Sequence, residues 1–165
     1  MQLKRLFRHL ILPHWWVLRA FPPQLLRRVE EAVAASESAH GGELRVVVEA
    51  NLPLPDLLQG RPTRARAIEL FSQLHVWDTE QNSGVLIYLQ LIDRRVEIVA
   101  DRGIDAKLGQ AFWDGVCRRM EAAFRAGDFE DGMLWALGTI TRALHEQFAA
   151  VGGNPDELPN APLVL

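Results

Sequence analysis

Apolar positions recur along this chain in two periods, and the switches between them mark out its elements. Leu3, Leu6, Phe7, Leu10 and Ile11 fall on one face of a helical wheel and Lys4, Arg5, Arg8 and His9 on the other. Residues 2–12 therefore predict a short amphipathic helix that Pro13 ends. Pro22-Pro23 opens a second helix with the stripe Leu25, Leu26, Val29, Val33 and Ser36, terminated at Gly41-Gly42. The period then drops to two. ELRVVVE at 43–49 is β-branched and alternates Leu44, Val46 and Val48 against Arg45 and Glu49, which predicts a strand. Residues 51–61 carry two prolines and a glycine and read as a loop, and a helix follows from Pro62 to about His75 with Ile68, Phe71 and Leu74 inward.

After the turn-rich WDTEQNSG, the nearly unbroken apolar run GVLIYLQLI (84–92) predicts a strand covered on both faces. Asp93-Arg94 turns the chain into a third strand, RVEIVA (95–100). A helical turn after DRG is followed, past Gly109, by a helix with Phe112, Val116, Met120 and Phe124 at i+4 spacing. Asp128 is the expected cap of a last helix, with Asp131 as its capping-box acid and Met133, Leu137, Ile140, Leu144 and Phe148 as its stripe. Strand, helix and strand in that order form a βαβ unit, so strands one and two should be parallel and strand three antiparallel to strand two. Helices before, between and after the strands must cover both faces. The expected class is α/β, a three-layer α/β/α sandwich with a small mixed sheet. The organisation that follows is a basic amphipathic arm at 1–21, a domain at 22–150, and a turn-forming, mobile tail at 151–165.

Composition narrows the chemistry. The 165 residues are 48% apolar and 24% charged, enough for one domain with a core that needs no disulfide or structural metal. The lone Cys117 lies inside a helical pattern with no histidine beside it, which reads as a structural thiol. The net charge of −3 divides unevenly: residues 1–28 carry six basic residues and no acid, and the remainder twelve basic against twenty-one acidic. A basic arm on an acidic body suits anionic lipid or an acidic partner, while the body would repel nucleic acid. No secretory signal and no span of about 20 apolar residues appears, so a cytoplasmic location is expected. Trp15 and Trp16 would suit peripheral contact of residues 2–19 with the inner face of the membrane. The competing arrangement docks the arm's apolar stripe on the domain and leaves its arginines in water.

Three segments carry a family resemblance: LFSQLHVWDTEQNSGVLIYL (70–89), DRRVEIVADRGI (93–104) and FRAGDFEDGM (124–133). In combination, over about Leu25 to Phe148, the chain resembles the TPM domain family of thylakoid lumen photosystem-repair proteins, receptor-auxiliary proteins and many bacterial proteins. The resemblance implies the same α/β/α sandwich, binding of calcium or another divalent cation, and a phosphatase activity proposed for some members. The chain departs from the pattern at Ala20-Phe21-Pro22, where relatives often have an aspartate, and at Asp101-Arg102-Gly103, where they have Gly-x-Gly. Most relatives also carry a signal peptide and a membrane anchor.

Parallel pairing of the first two strands gathers Glu43, the loop residues Asp78, Glu80 and Asn82, and Asp101 with Asp105 at one end of the sheet. Carboxylates and an amide oxygen are the hard ligands calcium or magnesium takes, so Glu43, Asp78, Asn82 and Asp101 are the candidate metal ligands. The bland alternative makes Asp105 a helix cap, Asn82-Ser83-Gly84 a turn, and Glu43 a solvated strand start. Arg102 is the one candidate clamp for a phosphoryl group, and no Cys-x5-Arg, Gly-rich cradle or Asp-x-Asp is present. His9, His14, His40, His75 and His145 have no metal spacing and read as surface or packing residues. Arg94 and Arg95 read as a solvated hairpin tip at the opposite end, and Trp113 and Trp135 as a second core layer. Two functions remain: a module binding an unidentified protein partner under the influence of a divalent cation, or a weak metal-dependent phosphatase at the acidic end.

Overall fold

Three β-branched runs become three adjacent strands. In the computed structural model, which describes residues 2–11, 15–148 and 157–165, β1 is Glu43–Glu49, β2 Gly84–Gln90 and β3 Arg95–Ala100. β1 and β2 run parallel, with Glu43 opposite Gly84 and Glu49 opposite Gln90. β3 returns antiparallel, pairing Val85 with Ala100 and Gln90 with Arg95. A fourth strand, β4 (Leu163–Val164), pairs parallel to the outer edge of β1 through Val47 and Val48. The order is β3-β2-β1-β4.

The helices are α1 (Gln2–Ile11), α2 (Trp15–Ala20), α3 (Pro23–Glu37), α4 (Leu54–Leu58), α5 (Thr63–Gln73), α6 (Arg102–Leu108), α7 (Gln110–Ala126) and α8 (Phe129–Gln147). Alternation of the strands sorts their side chains to two faces. Leu44, Val46, Val48, Val85, Ile87 and Leu89 meet the stripes of α3, α7 and α8 in the larger core. On the other face Val47, Leu86, Tyr88 and Val99 pack against Ala67 and Leu70 of α5 and against Leu158. This is the three-layer sandwich with a mixed sheet. Trp113 is fully buried in the larger core, and half-buried Trp135 lies under the Arg119 guanidinium, 4.1 Å from the ring centroid.

Several local expectations are corrected. α5 turns Ala67 and Leu70 inward against Val47 and Leu86 and leaves Ile68 exposed. α3 stops at Ser38, whose N–H donates to Ala34 O while the Ala39 N–H donates to Ser36 O, before the two glycines are reached. Asp101, not Asp105, caps α6, and Asp128 precedes α8 without a side-chain cap bond. The segment expected as loop at 51–61 contains the single turn of α4.

The ends of the chain differ most from expectation. Residues 157–165 are docked: Arg45 donates to Pro159 O at 2.7 Å and Ala161 O at 2.5 Å, and Leu165 exchanges backbone bonds with Val48 and Ala50. The unpaired edge of β1 supplies the reason, since its N–H and C=O groups need partners. Residues 151–156 of the expected mobile tail lie outside the described residues. At the other end α1 meets the domain with its polar face. Arg5 bonds Asp93, Arg8 donates to Ile92 O, and buried His9 bridges Asp93 Oδ1 and the Leu52 N–H, while Phe7 is 65% exposed. Asp93 and the Ile92 carbonyl at the hairpin tip need donors, and those donors set the helix's orientation. The side chains of Leu3, Leu10, Ile11, Trp15 and Trp16, the helix end at Pro13, and His14 lie outside the described residues.

Candidate functional site

Register brings the candidate acidic end together. The Glu43 N–H donates to Ser83 O, and the Asp101 N–H to Gly84 O at 2.8 Å, so Glu43, the loop 74–83 and Asp101 share one end of the sheet. The loop is held internally. Ser83 N–H donates to Thr79 Oγ1, Asp78 N–H to His75 O, and Asn82 N–H to Thr79 O, with His75 and Asn82 at left-handed φ of 55° and 52°. Gly84 lets this loop press on the strand, since a Cβ there would lie 1.8 Å from Val76 O.

The four candidate ligands do different things. Asp101 is buried; its Oδ1 accepts from the Arg102 N–H at 2.6 Å, and its Oδ2 has no hydrogen-bond partner among the described residues. Asn82 stands beside it through the main chain: a Cβ on Gly103 would come within 2.8 Å of Asn82 O and 3.6 Å of Gln81 O, so Gly103 leaves those carbonyls uncovered. Asp78 is exposed on the loop. Glu43 is fully buried, and its Oε2 accepts the N–H groups of Glu157 and Leu158, so it anchors the C-terminal segment. Among the described residues, no three His, Cys, Asp or Glu side chains gather as a metal-holding group.

A cation at this end would have to rely on Asp101, the exposed Asp78 and main-chain carbonyls, a donor set calcium accepts. Two buried oxygens at this end without partners among the described residues, Asp101 Oδ2 and Ser83 Oγ, fit such a use. The carbonyls and Ser83 were not legible as donors beforehand. Only the glycine two residues after Asp101 hinted at a close approach.

Two other titratable groups, His40 and Cys117, are tied into the structure. His40 Nδ1 accepts from the Gly42 N–H, and its Nε2 meets Ser36 Oγ at 2.7 Å. Ser36 contacts Thr141 Oγ1, which donates to Leu137 O. Burial pushes the His40 imidazole down to about 4 against the smaller opposing effect of its backbone bonds. The half-buried Cys117 thiol is pushed up to about 12, first by burial and then by Glu97, which makes it a poor nucleophile at neutral pH. No helix among the described residues is long and apolar enough to cross a membrane.

A small mixed sheet with helices on both faces is an architecture found in other solved domains. The BA42 protein of the psychrophilic bacterium Bizionia argentinensis superposes with a TM-score of 0.75 at 26% identity, over 86% of this chain and 93% of that one. The N-terminal domain of a P. gingivalis protein does so with a TM-score of 0.65 at 19% identity, over 84% and 94%. The chain belongs to the TPM domain family, whose model matches residues 19–143. No curated protein matches it.

Proposed function

We propose that this TPM domain is a protein-interaction module whose recognition loop, 74–83, is steadied by a divalent cation at the Asp101 end of the sheet. The observation that carries the reading is Trp77, a large indole 49% exposed on a loop otherwise tied down by turns and by the Gly84 contact. Exposed tryptophans on rigid supports are the residues on which protein interfaces concentrate their binding energy. Asp101 Oδ2 and the carbonyls of Asn82 and Gln81 are the groups that would hold calcium or magnesium, with Asp78 completing the shell from the solvent side and Glu43 acting indirectly through the tail. The cation would supply positive charge that fixes the loop's carbonyls. We take the protein to act in the cytoplasm with its arm on the domain, because Arg5, Arg8 and His9 are already engaged there.

Calcium and magnesium titrations of the labelled protein, followed by two-dimensional NMR, test the cation. Shifts are expected at 78–83 and 101–103 and are lost in D101N. A photo-crosslinking residue at position 77 tests the partner, with position 118 as control, and should trap one discrete protein from position 77 only. Cation-dependent hydrolysis of p-nitrophenyl phosphate, abolished in D101N, would replace this reading with the phosphatase one.

A further inference from the structure

The end of the sheet opposite Asp101 holds a concavity. A cavity of about 220 Å³ opens at the C-terminal end of β2, floored by Leu89, Leu91, Phe124 and Phe129. The Phe124 and Phe129 rings stack with centroids 5.2 Å apart, which gives the floor a flat aromatic wall. Arg94, Arg95 and Arg125 line its mouth, and the same three, with Arg8 and Asp93, line an adjoining basin of about 520 Å³.

The charges at this mouth do not cancel. The Asp93 carboxylate is taken by Arg5 and His9. Buried Glu121 stands between two arginines, 2.7 Å from Arg125 and 3.5 Å from Arg95, and so holds both guanidinium groups while neutralising only one. Arg94 has no ion pair or side-chain hydrogen bond among the described residues, and its backbone is held at a left-handed φ of 54°. Residues in that conformation carry strain that persists at sites where position matters. In sheets with parallel strands, ligands settle at the carboxyl ends of those strands, and this is the carboxyl end of the β1–β2 pair.

We infer that this cavity binds a small anionic molecule, with a phosphate or carboxylate head on Arg94, Arg95 and Arg125 and an apolar body against the Phe124–Phe129 wall. The guanidinium fork matches either head bidentately, and an apolar floor with a few convergent polar groups is the usual make-up of a small-molecule site. The inference is independent of the cation and of the Trp77 loop, which lie at the other end of the sheet.

Phenyl phosphate and hexanoate serve as probes of the full chain, with inorganic phosphate and benzyl alcohol as controls lacking the body or the charge. In two-dimensional NMR titrations, at least one probe should shift amides within 89–95 and 124–129. It should bind about tenfold more tightly than either control and weaken as salt is added. The R94Q/R125Q double variant changes only exposed side chains; it should keep the native spectrum and lose about tenfold in affinity. The inference is overturned if neither probe shifts these amides, if inorganic phosphate binds as well as phenyl phosphate, or if the double variant binds unchanged.

Discussion

The Tyr88 hydroxyl donates to Glu49 Oε2 at 2.5 Å across the β1–β2 pair, and the same carboxylate receives the Arg66 guanidinium at 2.8 Å from α5. Glu49 is buried on a central strand, and its two partners supply the hydrogen bonds that water would otherwise give it. Arg66 is in turn shared with Glu69, which also receives Arg61. Burial and the neighbouring Glu49 charge both drive the Tyr88 phenol far above its ordinary range, so it serves as a donor at any physiological pH.

The two partners should differ in worth. Y88F removes one hydrogen bond and should cost about 1 kcal/mol. E49Q leaves Arg66 with only the shared, partly exposed Glu69 as counter-ion and should cost about 3 kcal/mol. Urea unfolding of both variants checks the order. Equal losses would mean that water reaches Arg66 and replaces Glu49.

Stability should fall in mildly acidic solution because of His40. Its folded value of about 4 lies below the ordinary 6.5, so between these the unfolded chain binds a proton that the folded one refuses. The contribution is therefore complete above about pH 6.5, lost as pH falls toward 4, and worth about 3 kcal/mol. Asp93 acts lower on the scale. Burial raises its carboxyl, but the His9 and Arg5 contacts outweigh burial and hold it below 3.8, so its contribution is lost only under that pH. Urea midpoints measured across the range should slope with pH in the wild type, and the slope above about pH 4 should flatten in H40N.

Gly84→Ala should be among the most damaging single changes in the chain. The added methyl would sit 1.8 Å from the Val76 carbonyl and 2.9 Å from its carbon, backbone atoms that cannot step aside without detaching the loop from β2. A loss of about 3 kcal/mol or more is expected, read as a lower melting temperature. By contrast, a methyl at Gly138 meets nothing, and Gly138→Ala should be neutral or slightly stabilising.

What the chain disclosed in advance was periodic. Val46, Val48, Ile87 and Leu89 alternate or run together in ways only strands do, and the helix between them forces β1 and β2 parallel, so the sheet and its layers were legible. Contacts between residues far apart in sequence were not. Glu43 looked like a ligand because nothing local says that Glu157 and Leu158 return to it. Arg94 and Arg95 read only as a solvated tip because Arg125, Glu121 and Phe124 arrive from α7 and Phe129 from α8. The arm was legible as amphipathic, but which face docks depended on the acceptors Asp93 and Ile92 O at a turn formed elsewhere.

The C-terminal segment closes the sheet, which makes it a stability element and a guard against self-association. With residues 157–165 removed, Glu43 loses the two N–H groups, Arg45 loses both carbonyls, and the outer edge of β1 loses its pairing with Leu163 and Val164. The outer edge of β1 would then present unpaired backbone N–H and C=O groups, the kind of edge that pairs with another chain. The truncated protein should melt at lower temperature and shift toward dimers or larger species in analytical ultracentrifugation. Arg45→Ala isolates the side-chain part: it removes two charge-assisted bonds while keeping β4, and should cost about 2 kcal/mol. If R45A matches the full truncation in stability yet stays monomeric, the arginine holds the segment and the strand pairing guards the edge. If truncation leaves both stability and mass unchanged, the docking of β4 contributes nothing in solution.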